Sequence, residues 1–74
     1  MRQSKFLKTV GNKIKQIRKE KGISLYKLAK ISKLNYNHIK NIENGITDCH
    51  LEVFTRICES LAVSVTDFFN KIDL

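Results

Sequence analysis

What this chain lacks constrains it most: it has no proline, and glycine occurs only at positions 11, 22 and 45 of its 74 residues. A sheet of many short strands needs frequent turns, and Gly and Pro supply the φ angles that turns require. A chain so poor in both favours helices joined by short connections. The length fits one domain, 1–74, with a small core that leans on close helix packing or on a partner subunit. An apolar share of 42% is too high for a disordered segment.

The apolar residues recur at helical spacing. Val10, Ile14 and Ile17 lie four and three apart in "TVGNKIKQIRKEK" (9–21), one stripe on an otherwise basic helix that Gly22 ends. Ser24 suits the N-cap of a short second helix, "LYKLAKI", with Leu28 and Ala29 inward and an end near Ser32 or Lys33. Asn35 suits the N-cap of a third helix that runs to Asn44 and stops at Gly45. Asp48 is expected to cap a fourth, "CHLEVFTRICESL", with Leu51, Phe54, Ile57, Cys58 and Leu61 as its buried stripe. Ser64 and Asp67 form a capping-box-like start for a fifth, "VTDFFNKI". The expected fold is all-α with five helices and a core within 10–69. No strand signal, repeat, linker or low-complexity segment is present.

Charge is divided unevenly. Residues 1–42 carry twelve Lys or Arg against Glu20 alone, a net +11, and residues 43–74 carry a net −4. A basic half joined to an acidic half implies an electropositive face directed at a polyanion, either nucleic acid or an anionic membrane surface. The membrane reading is the weaker, because the basic helices use their apolar faces for the core. No run approaches the ~18 apolar residues of a membrane span, and the opening "MRQSKFLKTV" does not read as a secretory signal. Cys49 and Cys58, if on one helix, would lie about 13 Å apart, too far for a disulfide. Both are expected to be reduced, which suits a cytoplasmic protein. Cys49, His50 and Cys58 lack the paired spacing of a metal site, and no nucleophile, base and orienter set emerges, so neither metal, cofactor nor enzyme activity is expected.

The two central helices carry the functional signal. Ser24 to Gly45 holds two helices and a connection of about three residues, which forces a crossing of roughly 90–120°, the helix-turn-helix arrangement. With Ile39 and Ile42 inward, Tyr36, Asn37, Lys40 and Asn41 fall within about 140° of one another on the outer side. Asn bonds adenine edges, Lys reaches guanine or phosphate, and Tyr stacks or touches a thymine methyl. Asn and Tyr are mediocre helix formers, so propensity does not account for them.

Three stretches, "IKQIRKEKGISLYKLAK" (14–30), "LNYNHIKNIENG" (34–45) and "LEVFTRICESLAVSVTDFF" (51–69), together resemble the Cro/phage-repressor, or XRE-type, helix-turn-helix family. The resemblance covers about residues 10–69, and small members of this length include phage repressors and restriction–modification controller proteins. It implies a five-helix, sequence-specific DNA-binding domain, mostly dimeric, acting as repressor or activator. Tyr36, Asn37, Lys40 and Asn41 then occupy base-reading positions. Ser24, Tyr26, Lys27, Asn35, His38, Asn44 and Thr47 fall at DNA-backbone positions. Arg18 and Glu43 match a structural ion pair between the first and third helices, the alternative for Arg18 being a free phosphate-binding cation. Three positions depart from the family: Leu25 replaces a phosphate-contacting Gln, Lys33 replaces the usual turn Gly, and Cys49 replaces a Pro at the start of the fourth helix.

One recognition helix reads only a few base pairs, so the expected state is a homodimer on half-sites about 34 Å apart. The acidic C-terminal half is its expected interface, with Phe68 in the core and Phe69, Ile72 and Leu74 at the contact. No small-molecule effector is evident, and a bacterial or phage-type, nucleoid-associated setting is expected. The competing expectation is a protein-binding adaptor or antitoxin-like partner that uses the same fold.

Overall fold

The computed structural model describes residues 2–72, with side chains from residue 5 onward. Five helices follow in order: α1 (Arg2–Glu20), α2 (Leu25–Ser32), α3 (Tyr36–Glu43), α4 (Leu51–Ser60) and α5 (Val65–Asn70). Among the described residues there is no strand, and no helix is long and apolar enough to cross a membrane. The all-α, five-helix expectation holds.

Local chemistry explains most boundaries. Ser24, Asn35 and Ser64 have extended φ/ψ, and their side chains accept the amides of Lys27, His38 and Asp67 at 3.0, 3.2 and 3.0 Å. Caps of this type contribute about 1 kcal/mol each. The C-terminal ends of α1 to α4 close alike. Gly22, Lys33, Gly45 and Ala62 take φ of 69°, 59°, 72° and 58°. The next residue's amide then bonds a carbonyl five positions back: Ile23 to Arg18, Leu34 to Ala29, Ile46 to Asn41 and Val63 to Cys58, at 2.9–3.1 Å. This is the Schellman closure, which satisfies carbonyls that a helix end leaves open. Ile23, Leu34 and Val63 also pack on the core, whereas Ile46 stays exposed. Two of the four left-handed positions are not glycine, and each such residue stores strain on the order of 1 kcal/mol.

The core is built from every helix. Val10, Ile14 and Ile17 of α1 meet Leu28 and Ala29 of α2, Ile39 and Ile42 of α3, Phe54, Ile57 and Cys58 of α4, Leu61, and Phe68 of α5. Phe68 is fully buried, edge-on to Phe54 with ring centroids 4.9 Å apart. Emptying such a position costs about 3–5 kcal/mol. The core holds α3 between α1 and α2.

Four expectations need correction. α1 begins at Arg2 rather than near Thr9, because Phe6, four residues before Val10, extends the apolar stripe by a further turn. α4 begins at Leu51 with His50 as N-cap, not at Asp48, whose Oδ1 accepts the amide of Cys49 at 2.7 Å. Cys49 therefore precedes the helix and is not its first residue. Leu51 is 75% exposed and lines an open groove with Phe6 of α1 and Val65 of α5, so it is not part of the buried stripe. Both cysteines are free thiols, with Cys58 in the core and Cys49 half-buried in the α3–α4 connection.

Candidate nucleic-acid interface

The site is set by what holds the back of α3. Ile39 and Ile42 are buried, and Leu34, in the three-residue connection from α2, packs against the same core. Those anchors fix the helix's rotation and leave Tyr36 (43% exposed), Asn37 and Lys40 facing out, with Asn41 half-buried beside them. Among the described residues, none of these four side chains makes an internal hydrogen bond or ion pair. Their donors and acceptors are directed to solvent.

The N-terminus of α2 lies beside this strip. Ser24 Oγ takes the Lys27 amide and Ser24 O takes the Leu28 amide, at 3.0 and 2.9 Å, so the amides of Leu25 and Tyr26 remain open. Open amides at a helix start form an anion-binding end. Tyr26, Ala29, Lys30, Leu34 and Tyr36 line one shallow depression between α2 and α3. That depression brings the two tyrosines together, a proximity that residue spacing alone did not reveal. Lys27, Lys30, Lys33 and Lys40 are exposed here with no carboxylate partner among the described residues.

The remaining candidate positions are placed unevenly. Asn35 spends its side-chain oxygen on the His38 amide, and His38 itself is half-buried. Asn44 is exposed at the end of α3. Thr47 is half-buried and lines a different feature, a groove of about 230 Å³ between α1, α4 and α5. Phe6, Leu51, Val65 and Phe69 line the same groove, and all four are exposed. Phe69 is 39% exposed, Ile72 is half-buried against the core, and Leu74 lies outside the described residues.

Arg18 is bound by protein groups and is not a free cation. It is 8% exposed, and it donates from Nε and Nη2 to the two carboxylate oxygens of Glu43 at 2.7 and 3.1 Å and from Nη1 to Ile23 O at 2.9 Å. Glu43 is 3% exposed. Burial pushes the Cys49 thiol up to about 11, helped by Asp48 and Cys58, and pushes Cys58 to about 11, helped by Glu59. Thiols held protonated at neutral pH are poor nucleophiles and ligands, and no group of three metal-ligating side chains occurs among the described residues.

A family model described as a helix-turn-helix domain matches residues 11–74. The wild-type restriction-modification controller protein C.Esp1396I superposes with a TM-score of 0.82 at 34% identity, over 86% of this chain and 83% of that one. The same protein as a tetramer in complex with its natural 35 base-pair operator also superposes at 0.82 and 34% identity, over 86% and 84%. The clp gene regulator ClgR from C. glutamicum aligns at 25% identity with a TM-score of 0.82, over 86% and 82%. No curated protein matches the chain in sequence.

Proposed function

The chain belongs to the helix-turn-helix domain family, of the XRE type, and on that premise we propose that it is a DNA-binding transcriptional regulator. The observation that carries this is α3: its back is locked into the core while Tyr36, Asn37, Lys40 and Asn41 present unbonded polar groups outward. An α-helix of this kind fits the B-DNA major groove, where each base pair offers a distinct donor and acceptor pattern. Asn37 and Asn41 suit adenine edges, Lys40 suits guanine, and Tyr36 suits a base face or thymine methyl.

Backbone contacts fix the register. The open amides of Leu25 and Tyr26 receive a phosphate, with Ser24, Tyr26 and Lys27 beside it. Asn35, His38, Asn44 and Thr47 hold the flanking phosphates. The whole chain acts as one such domain and works as a homodimer on two half-sites about 34 Å apart, in repressor or controller style. Phe69, Ile72 and Leu74 contribute to the dimer contact. Support comes from C.Esp1396I, a controller protein known in complex with its operator.

Selection of sites from random duplex DNA at stated salt tests the reading. A consensus emerges, and log K falls with log salt by about 0.9 per neutralised phosphate. Weak, salt-insensitive association without consensus would instead support an adaptor that contacts protein.

A further inference from the structure

One face of α1 approaches the end of α3 too closely for side chains. Lys8, Gly11, Lys15 and Arg18 follow each other at spacings of three, four and three, so they share one side of the helix. Arg18 pairs with Glu43 at one end of this seam. At Gly11, which is buried, a Cβ would sit 2.2 Å from Ile42 O and 2.7 Å from Glu43 O. At Gly45 a Cβ would sit 2.5 Å from Lys8 Cγ, 2.8 Å from Lys8 Cα and 3.0 Å from Lys8 N. Apart from Lys8 Cγ these contacts are to backbone, which a side-chain rotation cannot relieve.

We propose that Gly11 and Gly45 are positioning residues for DNA recognition: by letting the α1 and α3 backbones touch, they set the angle at which α3 presents its outward strip. The proposal rests on the DNA-binding reading above. Its mechanical basis is that α3 has only eight residues, about 12 Å at 1.5 Å per residue, and moves as one rigid piece. Restoring an ordinary contact at Gly11 requires a shift of about 1 Å, and a hydrogen bond lengthened by that amount is lost. Asn37 and Asn41, on the same helix, carry the displacement to the bases. Gly11 lies inside α1, where an alanine would otherwise improve helix propensity, so close approach explains its place better than local preference.

The test compares Gly11→Ala and Gly45→Ala with Gly22→Ala. Gly22 has φ +69°, close to the +72° of Gly45, but a Cβ there meets nothing within 4 Å. It therefore isolates backbone strain from contact. Affinity is measured for a duplex selected by the wild-type chain and for its scrambled counterpart, each scaled to the folded fraction. Gly11→Ala and Gly45→Ala lower the selected-to-scrambled ratio about tenfold or more, with scrambled-duplex affinity unchanged, whereas Gly22→Ala keeps the wild-type ratio. An unchanged ratio in the first two variants, an equal fall in Gly22→Ala, or a uniform loss on both duplexes would overturn the proposal. If Gly11→Ala fails to fold, the Gly45→Ala and Gly22→Ala pair carries the test. A wild-type chain that selects no duplex would overturn the DNA reading and this role with it. Failure of the seat alone is separate: hydrogen exchange at Arg18 Nε–H would then be as slow in Gly11→Ala as in the wild type, where a displaced α3 speeds it.

Discussion

Arg18 and Glu43 form a two-point bond across the molecule, Nε to Oε2 at 2.7 Å and Nη2 to Oε1 at 3.1 Å, tying the end of α1 to the last residue of α3. Both are buried, so removing one partner strands the other charge away from water. Arg18→Ala should lower unfolding free energy by about 3–5 kcal/mol in urea denaturation. Part of this comes from Ile23 O, which also loses its donor. The paired change Arg18→Met with Glu43→Leu should recover most of that loss. A double variant as unstable as the single one would contradict the desolvation account.

Lys33 and Ala62 hold left-handed conformations that glycine adopts without strain. Lys33→Gly and Ala62→Gly should each raise stability by about 0.5–1 kcal/mol, the relieved strain less the entropy a flexible residue adds to the unfolded chain. Thermal or urea midpoints read this directly. The two gains should add, because they cap different helices, α2 and α4.

The thiols give the fold a limit in alkali. Cys49 and Cys58 titrate near 11 in the folded chain, against an ordinary 9.0, chiefly because of burial. Below pH 9 both states keep these protons, so the thiols add no pH dependence. Between about pH 9 and 11 the unfolded chain releases protons that the folded chain retains, and stability falls as pH rises. The urea midpoint should drop over that window, and Cys49→Ala with Cys58→Ala should flatten the drop.

Features decided by neighbouring backbone were legible in the sequence. Ser24, Asn35 and Ser64 cap their helices through an amide three residues on, and Gly22 and Gly45 end theirs. The outward strip of α3 was legible because Ile39 and Ile42 leave only one rotation that buries both. Features decided by another helix were not legible. Asp48 has the chemistry of an N-cap, yet it bonds the very next amide, and the chain turns helical only after His50. Leu51 continues the apolar spacing of α4 but stands in the open groove rather than in the core. Gly11 falls inside the expected first helix with no local reason for a glycine, and only the α1–α3 approach shows why no side chain fits. The half-burial of Asn41 and the turn of Thr47 toward the groove likewise depend on tertiary packing.

Phe69 tests the oligomer. Its ring packs on Phe54 and Phe68 at 5.6 and 5.4 Å while its outer edge lines the groove with Phe6, Leu51 and Val65. If the proposed dimer uses this surface, Phe69→Asp places a charge at the contact and should shift sedimentation toward monomer relative to the wild-type chain. The fold should persist, because Phe68 supplies the buried ring. Unchanged sedimentation would remove Phe69 from the interface.

Duplex binding by three single variants tests the division of labour between α2 and α3 most directly. Affinities are measured at fixed salt for a selected duplex and for versions altered at each base. Asn37→Ala and Asn41→Ala should each erase about 1–3 kcal/mol of preference at particular base pairs. Lys27→Ala should weaken binding to every duplex alike and reduce the salt slope by about 1. Equal losses from all three variants on every duplex would contradict base reading by α3.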